Sequence, residues 1–249
     1  FFKKRIWRLE RRPATEVALK EAAAAIKASK KPLLICGGGV RYSEAHSELR
    51  HFVETTGIPF ADTQAGKSTI EWDHPLALGG VGVTGCSAAN EIAKEADLII
   101  GVGTRYTDFT TSSKWLFKDA CKFVNINVSE FQSLKMEAIP VVADAKDALP
   151  RLEKLLAGWK APYGNEVKDA QARWKAELER LDHMLFSDTP DWTPIINDAN
   201  ADSAKRFAKD LKAGLCQTTV LGALNAWMAN TDVAIGAAGS LPGDMQRMW

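Results

Sequence analysis

The sequence has few cysteines and no long apolar run, and each absence excludes a class of protein. Its four cysteines stand far apart along the chain, at Cys36, Cys86, Cys121 and Cys216. No pair has the C-x-x-C spacing of a zinc site or redox motif, so we expect free thiols in the reducing cytoplasm. No apolar run approaches the roughly 20 residues that a membrane-spanning helix requires, so no membrane partner is expected.

An excess of charge is also lacking. The chain has 32 Lys and Arg against 31 Asp and Glu, which gives a net charge of +1. Surfaces that bind nucleic acid normally carry a strong basic excess, so a nucleic-acid partner is not expected. What remains is an ordinary globular composition, with 46% hydrophobic and 25% charged residues. A length of 249 residues allows one large domain or two small ones.

Short apolar runs alternate with amphipathic segments over the first 157 residues. The runs typical of strands occupy residues 32–36, 58–61, 97–102, 123–128 and 141–143. Strands that alternate with helices at this spacing predict β-α-β units, right-handed crossovers and a parallel sheet. The fold class is therefore predicted to be α/β, with a doubly wound parallel sheet flanked by helices.

Two predicted helices flank the first apolar run. The earlier one, over residues 15–29, is rich in alanine, which has the highest helix propensity. Helical spacing predicts that it buries Val17, Ala18, Ala22, Ala25 and Ile26. The later helix, over residues 44–56, precedes Gly57, a residue typical of a helix C-terminus.

Changes in composition divide the chain into four parts. We predict an incoming linker, a central α/β domain, a helical linker and the start of a second α/β unit, at residues 1–12, 13–157, 158–212 and 213–249. The last part is predicted to contain one strand, over residues 233–238. Since the chain begins without Met and stops soon after a loop around Gly239, we expect a fragment of a longer protein.

Glycines follow two of the predicted strands. A tight turn there brings backbone close either to a ligand phosphate or to a neighbouring helix. Both loops leave the carboxyl ends of strands, where open α/β sheets bind ligands. Arg105 could hold a phosphate or carboxylate, and an ion pair with Asp108 or with another domain is equally favoured. This possible nucleotide or domain-contact loop consists of Gly37, Gly38, Gly103, Thr104 and Arg105.

Two further glycine motifs match known patterns poorly. Gly80-x-Gly82-x-x-Gly85 has the spacing of a dinucleotide site, but residues 74–78 make a poor preceding strand. We favour a glycine-rich crossover that packs against another domain. Gly66-Lys67-Ser68 is similar to a P-loop, but Ala61 stands where that pattern needs a glycine. The four histidines show no ligand spacing, so the residues alone indicate no catalytic group.

Several stretches resemble the thiamine-diphosphate-dependent enzymes of the acetolactate synthase group. The matching segments are residues 96–105, 125–128 and 142–149. The resemblance implies a protein with three α/β domains, of which this chain holds the middle one and the start of the third. It also implies that the sheet of the middle domain has six parallel strands.

Other segments are similar to one branch of this family, whose members hydrolyse a carbon–carbon bond of a cyclic 1,2-diketone in myo-inositol catabolism and yield 5-deoxy-glucuronate. These segments are residues 35–43, 63–67, 72–75, 80–85, 103–111 and 238–244. The resemblance implies thiamine diphosphate and magnesium as cofactors. It places the activating glutamate before Phe1 and the metal-binding G-D-G motif beyond Trp249. Only Gly239 and Ser240 match the loop near the diphosphate, so no catalytic or metal residue is expected here.

Three hypotheses follow. The chain is an inactive part of such a hydrolase or of an acetolactate synthase-like enzyme with another substrate; it is a nucleotide-binding module; or it is a structural, oligomer-forming domain. In some relatives the central domain binds FAD, but this branch implies a mainly structural domain, so FAD is not expected. Faces meant for the missing first and third domains would be exposed, so we expect a homo-oligomer. The glycines at 37–39 would then admit a helix or a neighbouring domain.

Overall fold

The structure is a computed structural model that describes residues 3–6, 10–185, 206, 215–229, 231–237 and 239–249. It contains two compact units, Phe1–Ala170 and Gln171–Trp249, here called unit 1 and unit 2. Most of the second half of the linker predicted over 158–212 lies outside the described residues. The domain division predicted at residue 157 stays a prediction.

Unit 1 contains a six-stranded sheet in which every pair of neighbouring strands is parallel. The strands are β1 Pro32–Cys36, β2 Phe60–Asp62, β3 Ala77–Gly80, β4 Leu98–Val102, β5 Lys122–Asn127 and β6 Ile139–Val142. Their order across the sheet is β3-β2-β1-β4-β5-β6. The predicted doubly wound parallel sheet is confirmed, and the strand order reverses between β1 and β4.

The two strands at this reversal form the centre of the sheet. Every residue of β1 and of β4 is buried, and Leu34 pairs in register with Ile100. Both strands are continuous apolar runs, as expected where helices cover both faces of a parallel sheet. The reversal of strand order therefore lies between two fully buried strands whose register is set by continuous pairing.

Helices precede, connect and follow the strands. In chain order they are α1 Glu16–Ala28, α2 Gly39–Tyr42, α3 His46–Thr56, α4 Ser87–Glu95, α5 Asp108–Thr111, α6 Glu130–Ser133, α7 Ala145–Leu155, α8 Glu166–Asp182, α9 Gln217–Trp227 and α10 Leu241–Met248. A short 3₁₀ turn occupies Lys135–Glu137. Among the described residues, no helix combines the length and the apolar character needed to cross a bilayer.

One face of the sheet packs against α1, α3 and α7. Their buried side chains join alternate residues of the strands in one apolar cluster, including Leu19, Phe52 and Leu149. On strands, alternate residues share a face, so β1 contributes Leu34 and Cys36 to this cluster. The burial of such side chains supplies the main favourable free energy of folding.

Three local predictions have different outcomes. Gly57 ends α3 in the left-handed conformation (φ 68°), and its N–H donates to Val53 O at 2.8 Å, as predicted. Val17 was predicted to be buried but is 76% exposed, because α1 instead turns a stripe that includes Leu19 toward the core. Strand β3 begins within residues 74–78, which we had judged to make a poor strand, and this prediction was wrong.

The strand predicted over residues 233–238 is not formed over its described residues. Residues 233–237 are neither helix nor strand and are exposed. A strand needs a neighbour with which to share backbone hydrogen bonds, and none of the described strands pairs with this segment. In unit 2 the described elements near it are helices α9 and α10.

Candidate functional site

The loops that follow β1 and β4 meet at the carboxyl edge of the sheet. Gly37 N donates to Val102 O at 2.8 Å, and Gly39 N donates to Gly103 O at 3.0 Å. These amides are the groups that would cradle a phosphate in a nucleotide site. Both of them donate instead to carbonyls of the neighbouring strand and loop.

The glycines at this contact have no room for a side chain. A Cβ on Gly37 would lie 2.3 Å from Gly103 O, and one on Gly39 would lie 2.6 Å from Gly103 Cα. Gly103 itself has φ +62°, a conformation that favours glycine. The backbone that approaches residues 37–39 is therefore the loop after β4. We had expected a helix or another domain there.

The other predicted loop residues surround this contact. A Cβ on Gly38 would lie 3.0 Å from Ala65 Cβ. Thr104 is buried, and its carbonyl accepts a hydrogen bond from Asn127 Nδ2 at 2.9 Å. Four of the five candidates thus come together at the strand-order reversal.

Arg105, the fifth candidate, is exposed. Its carbonyl accepts from Lys135 Nζ at 3.0 Å. The ion pair considered between Arg105 and Asp108 does not form. The guanidinium therefore faces solvent at the carboxyl edge, where an anionic group can reach it.

Two further loops, those after β2 and β3, also make close backbone contacts with neighbouring segments. A Cβ on Gly66 would lie 2.1 Å from Cys36 O. A Cβ on Gly82, at φ +100°, would lie 2.0 Å from Phe109 O, and Val83 N donates to that oxygen at 2.8 Å. The glycine motif at 80–85 therefore packs on α5 within the same unit.

A buried carboxyl group that the sequence reasoning missed lies at the end of β2. Asp62 is 7% exposed and pairs in register with Cys36 of β1. Its Oδ1 has no hydrogen-bond partner. Burial raises the pKa of Asp62 from 3.8 to about 7, while Lys67 and Arg41 act in the opposite direction. The signal in the sequence was an acidic residue immediately after the apolar run at 58–61, and we had given this residue no role.

The thiols near this edge are shielded. All four cysteines are free, and Cys36 and Cys86 are buried. Burial raises the pKa of the Cys36 thiol well above its usual range, and it also raises the pKa of Cys86. Because the thiolate is the reactive form, neither group is suited to act as a nucleophile.

The two residues predicted to lie near a cofactor diphosphate are found at the start of α10. Gly239 has φ +130°, and a Cβ there would meet nothing within 4 Å. Ser240 occupies the N-cap position but makes no side-chain capping bond. Within the described ranges, no group of three His, Cys, Asp or Glu side chains could hold a metal ion.

Comparison with protein families assigns the sheet domain. A family model described as "Thiamine pyrophosphate enzyme, central domain" matches residues 19–152, which is more than half of the chain. The chain belongs to this family. The matched segment contains all six strands of unit 1. The resemblance to thiamine-diphosphate enzymes is confirmed, since thiamine pyrophosphate is another name for the same cofactor.

Curated relatives cover the chain from end to end. It is 50% identical over 252 aligned residues to 3D-(3,5/4)-trihydroxycyclohexane-1,2-dione hydrolase 1 of Bacillus cereus (strain ZK / E33L). It is 49% identical to the 3D-(3,5/4)-trihydroxycyclohexane-1,2-dione hydrolase of Clostridium tetani (strain Massachusetts / E88). Each alignment includes 100% of this chain but 39% of the relative. The chain therefore spans about two fifths of the length of the relatives that it matches.

Proposed function

We propose that this chain is the scaffolding central part of a thiamine-diphosphate-dependent hydrolase that acts on trihydroxycyclohexane-1,2-dione. The observation that carries this proposal is 50% identity over the whole chain to hydrolases of that name, of which the chain covers 39%. The parent enzyme would cleave a carbon–carbon bond of the cyclic diketone and form 5-deoxy-glucuronate in myo-inositol catabolism. It would use magnesium with the cofactor and work in the cytoplasm as a homo-oligomer.

The packing of the loops supports a scaffolding role. Gly37 and Gly39 direct their amides at backbone carbonyls, so these amides offer no cradle for a phosphate. The described part of the chain also brings together no metal-binding cluster. The chemistry would therefore depend on the first and third domains of the longer polypeptide.

Calorimetry tests the proposal directly. The 249-residue chain, titrated with thiamine diphosphate and magnesium, is expected to release no binding heat at the concentrations that saturate ordinary enzymes of this family. The longer protein that contains this chain is expected to bind the cofactor and to consume the cyclic diketone. Tight cofactor binding by the chain alone, or a longer protein that binds but leaves the diketone intact, would contradict the proposal.

Nucleotide binding is a second candidate function. It is favoured by the reversal of strand order, the place where open α/β sheets bind nucleotides, and by the exposed guanidinium of Arg105. A rise in the melting temperature of the chain with FAD or NAD, lost in Arg105→Ala, would support it. A colourless protein without such a shift would count against it.

A further inference from the structure

We infer that unit 1 contains a binding site for one buried water molecule, which bridges Tyr106, Asn125 and Gln132. These residues belong to the loop after β4, to strand β5 and to helix α6, respectively. The water fastens the loop that carries Arg105 to the neighbouring strand. The inference concerns the sheet domain itself and does not depend on the activity proposed above.

Three side-chain oxygens in this part of unit 1 are buried and need a partner. They are Tyr106 Oη, Asn125 Oδ1 and Gln132 Oε1, and none of them has a hydrogen-bond partner among the described residues. Asn125 is 0% exposed and Tyr106 is 6% exposed. Burial of a polar group without a partner is unfavourable, so a ligand that pairs with all three oxygens would stabilise the folded chain.

The Tyr106 hydroxyl lies over strand β4 beside Asn125. A Cβ built on Gly101 would lie 2.1 Å from Tyr106 Oη, so the absence of a side chain at this glycine gives the hydroxyl its space. Gly101 pairs in register with Asn125 of β5. Since neighbouring strands lie about 4.8 Å apart, Tyr106 Oη is within roughly 7 Å of Asn125 Cβ. Two hydrogen bonds through one water molecule span about 5–6 Å, which suits this separation.

Helix α6 brings Gln132 to the same place. Asn125 Nδ2 donates to Gln132 O at 2.6 Å, which leaves Oδ1 as the unpaired atom of that amide. Strand β5 contributes Val124 and Ile126 to the apolar cluster beneath α1, α3 and α7, so Asn125 projects from the opposite face of the sheet. Tyr106, Asn125 and Gln132 therefore meet on that face.

Aromatic contacts hold the ring of Tyr106 in place. It meets the Phe123 ring edge to face, at 5.6 Å between centroids and 89° between planes. Phe123 meets Phe117 in the same way at 5.2 Å. A phenylalanine at position 106 would make the same apolar contacts, so the hydroxyl is the part of this side chain that requires a polar ligand.

Water suits these three oxygens better than a cation does. A water molecule can donate to Asn125 Oδ1 and Gln132 Oε1 and accept from the Tyr106 hydroxyl. Buried waters typically make about three hydrogen bonds of this kind. All three oxygens belong to uncharged side chains, and a buried cation needs an opposite charge as its partner.

High-resolution crystallography of the 249-residue chain tests the inference. One peak of electron density is expected within about 2.6–3.2 Å of all three oxygens. Soaking the crystals in rubidium chloride distinguishes the two occupants, because an anomalous signal at the peak would identify a monovalent cation. That signal, or a direct bond from Tyr106 Oη to Asn125 Oδ1 with no density between the three residues, would overturn the inference.

Tyr106→Phe tests the hydroxyl in solution. In the unsubstituted chain, NMR is expected to detect a rotating-frame Overhauser effect between water and the side-chain amide of Asn125, and the variant is expected to lose most of it. Since a paired hydroxyl stabilises the fold, the equilibrium constant for folding should fall about fivefold in the variant. Tyr163→Phe is the matched control, because Tyr163 Oη donates directly to Pro32 O at 3.2 Å and its loss should leave the water signal unchanged.

The stability of the Tyr106 variant gives a second way to reject the site. Removal of a buried hydroxyl that has no partner is neutral or stabilising, whereas removal of a paired one is destabilising. A Tyr106→Phe variant that keeps the water signal, or that folds as well as the unsubstituted chain, therefore contradicts the inference.

Discussion

Gly103 combines two constraints at a single residue. Its backbone is left-handed, with φ +62°, and a Cβ there would lie 2.6 Å from Gly39 Cα. Gly103→Ala is expected to cost about 1–2 kcal/mol for the left-handed conformation and a further ~1–3 kcal/mol for overpacking. Urea unfolding of the unsubstituted chain and of the Gly103→Ala variant measures the total loss of stability.

Gly158→Ala is the matched control for this substitution. Gly158 has a similar φ of +76°, but a Cβ there would meet nothing within 4 Å. Its replacement is expected to cost only the conformational part, about 1–2 kcal/mol. Equal losses in the two variants would mean that the contact between the loops after β1 and β4 adds no steric constraint.

Asp62 gives the folding stability a specific dependence on pH. Burial raises its pKa from 3.8 to about 7, so between these values the folded chain holds a proton that the unfolded chain has released. The stability that protonated Asp62 contributes is therefore fully present below pH 3.8, and it is lost as the pH rises through about 7. A shift of this size corresponds to at most about 4 kcal/mol.

Replacing the carboxyl group tests this dependence. Asp62→Asn is expected to remove the loss of stability between pH 4 and pH 7, as measured by urea unfolding across that range. Asp119→Asn changes an exposed carboxylate. In this control the free energy of unfolding should fall with pH as steeply as it does in the unsubstituted protein. An unchanged slope in the Asp62 variant would assign the pH dependence to other groups.

Among the helices, α7 has an N-terminus anchored by more than its own cap. Asp144 accepts from Lys146 N at 2.9 Å and also from Arg11 Nη1 at 3.1 Å. Its own N–H donates to Arg12 O at 2.8 Å. The segment predicted to be a linker at residues 1–12 is thus fastened to α7 near its end.

A comparison of two caps measures this extra anchoring. Asp144→Ala is expected to cost about 1–2 kcal/mol for the cap and more for the lost partner of Arg11. Thr15→Ala removes an exposed cap of α1 that accepts from Ala18 N at 3.3 Å, and should cost about 0.5–1 kcal/mol. Thermal unfolding followed by circular dichroism compares them, and an equal effect would refute a role for the Arg11 contact.

The predictable elements were those with an unambiguous apolar pattern. Strands β1 and β4 are continuous apolar runs that only a doubly covered strand explains. Strand β3 reads Ala-Leu-Gly-Gly, whose residues have low strand propensity, and its pairing with β2 at the edge of the sheet creates it. In α1 the many alanines leave the phase of the helix undefined by sequence, which explains the wrong prediction for Val17.

The site was predictable in position but not in its contacts. Glycines after apolar runs correctly located the edge where the loops meet. Which atoms fill the space around Gly103 depends on the register of strands that lie far apart in sequence, such as Leu33 opposite Ile99. The same long-range pairing buries Asp62 beside Cys36, so a local pattern could not reveal its environment.

For the whole molecule, the main apolar core lies within unit 1. Every member of the cluster beneath α1, α3 and α7 falls between Ala14 and Ala161. Segment 161–163 is tied back to this unit, since Ala161 N donates to Thr56 O at 2.7 Å and Tyr163 Oη to Pro32 O at 3.2 Å. Among the described residues, the apolar cluster of the sheet domain therefore lies wholly before residue 170.

A shortened chain tests whether the residues that form this cluster are enough to fold the sheet domain. Residues 1–170 alone are expected to unfold cooperatively, with a urea midpoint close to that of the sheet domain in the 249-residue chain, because the core cluster is retained. Residues 1–150 serve as the comparison, since they lose Leu152 and Leu156 of the cluster and should be markedly less stable. A shortened chain of 170 residues that fails to fold would show that unit 1 depends on the segment after Ala170.

The backbone contacts between the strand-end loops also restrict how this edge can vary in length. Where one main chain touches another, at Gly37, Gly66, Gly82 and Gly103, an inserted residue would have to displace its neighbour. Surface loops usually accept insertions and are the places where related proteins diverge. In this chain, additions are accommodated more readily at the exposed left-handed turn of Gly158, where nothing lies close to the backbone. New segments would therefore enter this protein near that turn and not at the edge where ligand-binding α/β proteins acquire theirs.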